Sequence, residues 1–327
     1  MDSLHAGVVP WLYFGIAVAA LLALDLFAGG RTHRHATAHA PPPFTLGAAA
    51  LWSGLWIGLA LVFGLVIFAL YGSEAMVTYF TAYVLEKSLS MDNLFVFAVI
   101  FGELAIPAGY QRRVLHWGIL GALAMRGLLI GGGVYLLARF HWILYPFALL
   151  ILFAAARLLW GEQKERKVVV AACAVCDSWL ARFVPVTAMI GDGKFLIRQN
   201  GRLAATPLLI ALVVIELSDG IFAIDSIPAV LAVTRDPFLV YTSNVFAMLG
   251  LRSLYFLLSG VVARFHNLRY GMAAILVFAG IKMLLSGVID VPSWLSLVTI
   301  MVILSVTVVA SLGGSSRRMH DQVTGAS

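Results

Sequence analysis

The chain has 327 residues, 61% of them hydrophobic and 12% charged, with a formal net charge of +6. Its mean hydropathy is +0.96. Soluble domains are about 45–50% apolar and about 25% charged, so this composition excludes a soluble globular enzyme, a disordered chain and a disulfide scaffold. It indicates a polytopic helical membrane protein, and the cationic surplus reads as cytoplasmic loops rather than nucleic-acid binding.

A spanning helix takes about 20 mostly apolar residues. Nine such spans are predicted: 8–28, 44–70, 75–101, 112–138, 142–160, 206–233, 237–263, 270–288 and 293–312. They divide the chain into a first helix with a His/Pro-rich cytoplasmic linker (1–43), spans 2 to 5 (44–160), a cytoplasmic loop (161–205), spans 6 to 9 (206–312) and a cytoplasmic tail (313–327). No Lys or Arg precedes span 1, and Arg31 and Arg34 follow it, so it does not read as a signal sequence. The linker histidines His33, His35 and His39 read as a solvated segment that could sample metal. In the long loop, Lys194–Gln199 and Arg202–Ala205 flank Asn200-Gly201, the strongest local hairpin signal. Cys173 and Cys176 have CxxC spacing, but one pair supplies only two of the four ligands of a structural zinc, so they read as packing.

Orientation follows from the cations in the loops. The N-terminus and the loops after spans 2, 4, 6 and 8 hold 2 Lys/Arg in total; the opposite set holds 16, with Arg112, Arg113 and Arg157, near span ends, counted in the loops. The asymmetry places the N-terminus outside and the C-terminus in the cytoplasm, and an odd number of spans agrees.

That count leaves Lys87, Arg126, Arg252 and Lys282 inside spans. It also leaves six acids there: Asp25 at an end, and Glu86, Asp92, Glu216, Asp219 and Asp225 deeper. An ionised group at mid-bilayer costs about 2.5–3.5 kcal/mol on insertion scales, so five deep acids need partners, protons, water or a cation. On helical spacing Glu86, Ser90 and Asn93 share a face of span 3, with Asp92 on another. In span 6, Glu216, Asp219 and Ser226 share one face, and Ser218 and Asp225 another. Breaks near Ser88–Met91 and Ser218–Gly220 are expected to let these oxygens converge; Gly220 and Pro228 favour the second.

Two stretches resemble each other: Glu86-Lys-Ser-Leu-Ser-Met-Asp-Asn-Leu-Phe-Val-Phe97 and Glu216-Leu-Ser-Asp-Gly-Ile-Phe-Ala-Ile224. Each precedes a helix with a lone arginine, 34 residues from Asp92 to Arg126 and 33 from Asp219 to Arg252. The two copies enter the membrane in opposite directions. The expected fold is therefore all-α, about nine transmembrane helices, with a core of two inverted three-helix repeats (spans 3–5 and 6–8) and an ion site near the midplane.

These motifs, the second continuing Asp225-Ser-Ile-Pro-Ala229, with Thr234-Arg-Asp-Pro-Phe-Leu-Val-Tyr-Thr-Ser-Asn-Val-Phe-Ala247, Gly193-Lys-Phe-Leu-Ile-Arg198 and Ala205-Thr-Pro207, resemble the TerC family of integral membrane proteins over about residues 44–310. The resemblance implies a multi-pass protein of the bacterial inner membrane that exports Mn²⁺ from the cytoplasm or supplies it to proteins maturing outside. It implies that the acids Glu86, Asp92, Glu216, Asp219 and Asp225 serve the metal. The tellurite resistance behind the family's name is an indirect trait on this reading. The His-rich linker is not a motif of the family.

The residues themselves point to a hard cation. Carboxylates, Asn93 and the hydroxyls of Ser90, Ser218 and Ser226 suit Mn, Mg or Ca, whereas Zn and Cu prefer His and Cys. The five deep acids and four cations sum to −1, and a bound divalent ion would bring +1, so protons are the expected counter-ion and Asp225 the expected relay. Arg126 and Arg252 either pair with acids, Asp92 and Asp219 among them, or gate the ion. His116 serves metal, proton or a polar interface. Three functions compete. The first is a proton-coupled Mn²⁺ exporter embedded in the lipid bilayer. The second is a metal-supplying partner of the Sec translocon or of secreted metalloenzymes. The third is an intramembrane hydrolase with Asp92 and Asp219 as its dyad. No protease, hydrolase or P-loop pattern appears, so no enzyme activity is expected.

Overall fold

The computed structural model describes residues 7–31, 46–159, 162–182, 184–187, 189–190, 193–199, 201–258, 268–286, 289 and 291–324, with the backbone alone for 24–31, 92, 141, 162–166, 268 and 312–324. The linker histidines, and residues 259–263 of span 7, lie outside this set.

Apolar segments without water to bond their amides must satisfy them internally, and helices do so. The described residues of the predicted spans are helical apart from short breaks. It comprises α1 (Val8–Arg31), α2 (Leu46–Glu103), α3 (Ala108–Arg139), α4 (Leu144–Leu159), α5 (Glu162–Leu180), α6 (Pro207–Leu231), α7 (Pro237–Leu249), α8 (Leu251–Leu258), α9 (Leu268–Leu285) and α10 (Ser293–Thr324). Strands β1 (Leu196–Gln199) and β2 (Arg202–Ala205) pair antiparallel around Gly201, with Arg198 opposite Leu203, as the Asn-Gly signal predicts. At least four helices are long and apolar enough to cross a bilayer: Leu46–Glu103, Ala108–Arg139, Pro207–Leu231 and Ser293–Ser311. The protein is thus an all-helical, multi-pass membrane protein.

A straight helix of 58 residues would be about 87 Å long, nearly three bilayer cores. α2 avoids this at Gly72, where φ is 88° and ψ −179°. The chain reverses there: the Tyr79 hydroxyl donates to the Ala60 carbonyl at 3.3 Å, the rings of Phe63 and Tyr79 lie 5.5 Å apart, and Gly64 faces the Phe80 ring. Spans 2 and 3 are therefore the arms of one helical hairpin. A non-glycine residue at this φ/ψ costs about 1–3 kcal/mol, and no neighbouring atom would obstruct a Cβ at Gly72. Gly72→Ala is therefore expected to lower the melting temperature in detergent through backbone strain alone. An unshifted melting curve would contradict the hairpin turn.

Three expectations need correction. First, α2 is helical through Ser88–Met91 and α6 is continuous through Ser218–Gly220 and past Pro228. One missing amide does not end α6, because the Ala232 N–H reaches the Pro228 carbonyl at 2.9 Å. No unwinding is needed, because long side chains from different helices meet across the bundle. Second, the long loop contains the helix α5, whose Val169, Cys173 and Cys176 are buried at one-turn spacing against the core. Both cysteines are free. Third, span 7 breaks at Gly250 into α7 and α8, and the Lys87 ammonium donates to the Ala247 carbonyl beside the break at 3.0 Å.

Packing brings the central elements together. α2 packs on α7, α3 on α6, and α4 on α9. α1 lies against α7 through Trp11 and Phe238, whose rings meet edge-on at 5.2 Å. α10 continues past the expected tail boundary to Thr324.

Candidate functional site

The three central helices each deliver one charged side chain to the same point. Arg126 on α3, Glu86 on the second arm of α2 and Asp219 on α6 are 2%, 0% and 2% exposed. The Arg126 guanidinium takes Asp219 with two parallel bonds, Nε to Oδ2 and Nη2 to Oδ1, both at 3.2 Å. Nη1 donates to Glu86 Oε1, to Asn244 Oδ1 at 2.7 Å and to Ser226 Oγ at 3.4 Å. Asn93 Nδ2 donates to Asp219 Oδ1 at 3.1 Å. Arginine suits this place because its five donors are fixed in a planar fork and its charge is permanent. Two carboxylates and one guanidinium leave the trio with one negative charge when both acids are ionised.

The network leaves donors and acceptors to spare. Glu86 Oε2, Ser90 Oγ and Asn244 Nδ2 are buried and have no hydrogen-bond partner among the described residues. Such groups are costly unless water or an ion satisfies them. A cavity of about 30 Å³ adjoins Glu86, with Asn93, Arg126, Ser226, Asp225 and Arg157 also among its walls. At its far side Arg157 Nη2, from α4, pairs with Asp225 Oδ2, from α6, at 3.1 Å; these side chains are 35% and 20% exposed.

The sequence-derived candidates separate into groups. Glu86, Asn93, Asp219, Ser226 and Arg126 meet directly, and Ser90 lies buried on the Glu86–Asn93 face. Asp225 shares their cavity but not their hydrogen bonds. Glu216 is half-buried and lies against α3, where a side chain at Gly121 would collide with its carboxylate. The Ser218 hydroxyl is spent on the Val214 carbonyl of its own helix at 2.7 Å. Arg252 lies apart from this centre, its Nη1 3.4 Å from His116 Nδ1, both residues buried. The Asp92 side chain lies outside the described residues. Among the described residues no three of His, Cys, Asp and Glu are gathered to hold a metal, because Arg126 stands between Glu86 and Asp219.

Two participants escape the sequence reading. Asn244 lies within the motif Thr234–Ala247, and a buried asparagine in an apolar helix is the signal that could have found it. Arg157, counted with the loop, belongs to α4. It brings the deep cations to five, Lys87, Arg126, Arg157, Arg252 and Lys282, against five acids, so the deep set is neutral rather than −1.

Comparison with known proteins agrees with this architecture. Residues 71–319 match the family model described as "Integral membrane protein TerC family". A Myxococcus xanthus relative named "Uncharacterized membrane protein STKORF319" is 45% identical over 302 residues, covering 92% of this chain and 91% of its own. A relative from Escherichia coli (strain K12), named "Putative membrane-bound redox modulator Alx", is 40% identical over 324 residues, covering 96% of this chain and 97% of its own. No solved structure matches.

Proposed function

The chain belongs to the TerC family of integral membrane proteins, and on that premise we propose that it is a secondary transporter exporting Mn²⁺ from the bacterial cytoplasm. The observation that carries this reading is the buried Glu86–Arg126–Asp219 network beside a cavity with Glu86, Arg126, Arg157 and Asp225 in its walls. A purely structural ion pair needs one acid per arginine. Here two acids from different helices share one arginine, and polar atoms are left over. Oxygen donors of this kind suit a hard divalent cation.

In this reading Arg126 holds the carboxylates in the ion's absence. A cation arriving through the cavity displaces the guanidinium and takes Glu86 and Asp219, with the carbonyl oxygens of Asn93 and Asn244 and the hydroxyl of Ser226 in reach. Asp92 and Glu216 are further carboxylates for the same path, and Ser90, Ser218, Arg252 and His116 support or gate it. The deep charges are balanced, so a divalent ion brings two charges that need an offset. Proton exchange supplies it, which makes the transporter an antiporter with Asp225 as the relay.

The packing supports the inverted-repeat reading. Exchanging spans 3–5 with spans 6–8 turns the α2–α7 contact into the α6–α3 contact and maps α4–α9 onto itself. Both contacts exist. The loop charges support an outside N-terminus and a cytoplasmic C-terminus in the bacterial inner membrane.

The relatives' redox name specifies no catalytic activity, and the cysteines here favour none. Burial, then Glu103, pushes the Cys173 thiol up to about 11, and thiols so held are poor nucleophiles. The reading is tested by flux of Mn²⁺, Ca²⁺, Mg²⁺ and Zn²⁺ in proteoliposomes of purified protein, with a pH gradient imposed or collapsed. Mn²⁺ movement that slows on collapse is expected. Movement that ignores the gradient would remove proton coupling. No movement of any divalent ion would favour a metal-supplying partner of the translocon.

A further inference from the structure

We infer that Arg157 and Asp225 form a second station for the divalent cation, at the rim of the cavity and in series with the buried one, and that their ion pair is its gate. This rests on the transporter reading. Two consecutive residues of α6 connect the stations. Asp225 faces Arg157 on α4, and Ser226 accepts from Arg126 on α3. Both arginines line the same cavity.

The two ion pairs differ in exposure in the way a path requires. Arg126, Glu86 and Asp219 are almost wholly buried, whereas Arg157 and Asp225 keep a third and a fifth of their side-chain surfaces exposed. The rim pair therefore stands between the surface and the buried acids. Its Arg157 Nε also lacks a partner among the described residues, so only one edge of this guanidinium is tied. A single bond to a part-exposed carboxylate is weak enough to open, in contrast to the bidentate grip of Arg126 on Asp219.

The size of the cavity gives the pair its task. About 30 Å³ is room for roughly two waters, fewer than the several that a small divalent ion carries. The ion must shed water before it passes, and Asp225 is the first carboxylate able to replace that water. Arg157 must then leave Asp225, as Arg126 must later leave Glu86 and Asp219.

The test uses the full chain with Cys173→Ala and Cys176→Ala, reconstituted in vesicles, with Ala154→Cys as a reporter at the cavity wall. A membrane-impermeant methanethiosulfonate reagent is applied from either side. Arg157→Gln and Asp225→Asn are each expected to raise the labelling rate roughly fivefold, as loss of a part-exposed ion pair would. Arg157→Lys, which keeps the charge, is expected to stay near the parent rate. Added Mn²⁺ is expected to slow labelling in the Arg157→Gln background. Unchanged labelling in both neutral variants would overturn the gate, even with Mn²⁺ flux intact. Raised labelling without protection by Mn²⁺, in a protein that moves Mn²⁺, would overturn the cation station. A parent protein that moves no divalent ion would remove the cation assignment together with the transporter reading.

Discussion

Arg126→Met is expected to be the most destabilising single substitution at the centre of this protein. It leaves Glu86 and Asp219 buried with no cation among their described partners and strands Asn244 Oδ1 and Ser226 Oγ. Removing one partner of a buried pair costs about 3–5 kcal/mol, because the remaining charge is neither solvated nor compensated. The expected result is little folded protein in mild detergent and an early melting transition. The triple variant Arg126→Met, Glu86→Gln, Asp219→Asn is expected to recover most of that loss, since replacing an entire buried charge set is often close to neutral. Arg126→Lys is expected to fall between, because an ammonium cannot reproduce the fork. A stable Arg126→Met protein would show that the network does not carry the core.

Asp219→Asn and Glu86→Gln are expected to have the opposite profile. Each removes one of the two acids competing for Arg126 and leaves the guanidinium paired with the other. Folding should hold to within about 1 kcal/mol, the scale of one hydrogen bond exchanged for another. Transport should fall by at least roughly tenfold, since losing one carboxylate ligand of a divalent cation is worth more than the ~1.4 kcal/mol that a tenfold change represents. Monodisperse elution and an unshifted melting curve, measured beside Mn²⁺ flux, separate the two effects. Transport equal to the parent in both variants would assign the acids a structural role.

The reach of the sequence varied with the range of the forces involved. Glu86, Ser90 and Asn93 were placed on one face by helical spacing, and all three line the buried side of α2. The β1–β2 hairpin followed from Asn200-Gly201, a preference settled within four residues. Long-range features were harder to see. Gly72 looks like a loop between two apolar runs, and only its φ of 88° shows a tight reversal. The α7–α8 break needs Lys87 from another helix to receive the freed Ala247 carbonyl. Expecting α2 and α6 to unwind underestimated side-chain length: Arg126 reaches both helices without any backbone change. Arg157, inside predicted span 142–160, was counted with the loop, which hid the partner of Asp225. α5 was missed because its apolar run, 168–176, is too short for a span and follows the charged stretch 162–167.

The most direct test of the central claim is equilibrium Mn²⁺ binding to the purified protein, followed by the loss of the free-ion signal in electron paramagnetic resonance. Saturable Mn²⁺ binding is expected in the parent protein, with its tightest component absent or much weakened in folded Asp219→Asn and Glu86→Gln. Equal binding in parent and variants, or no binding in the parent, would contradict a cation site at the Glu86–Arg126–Asp219 network.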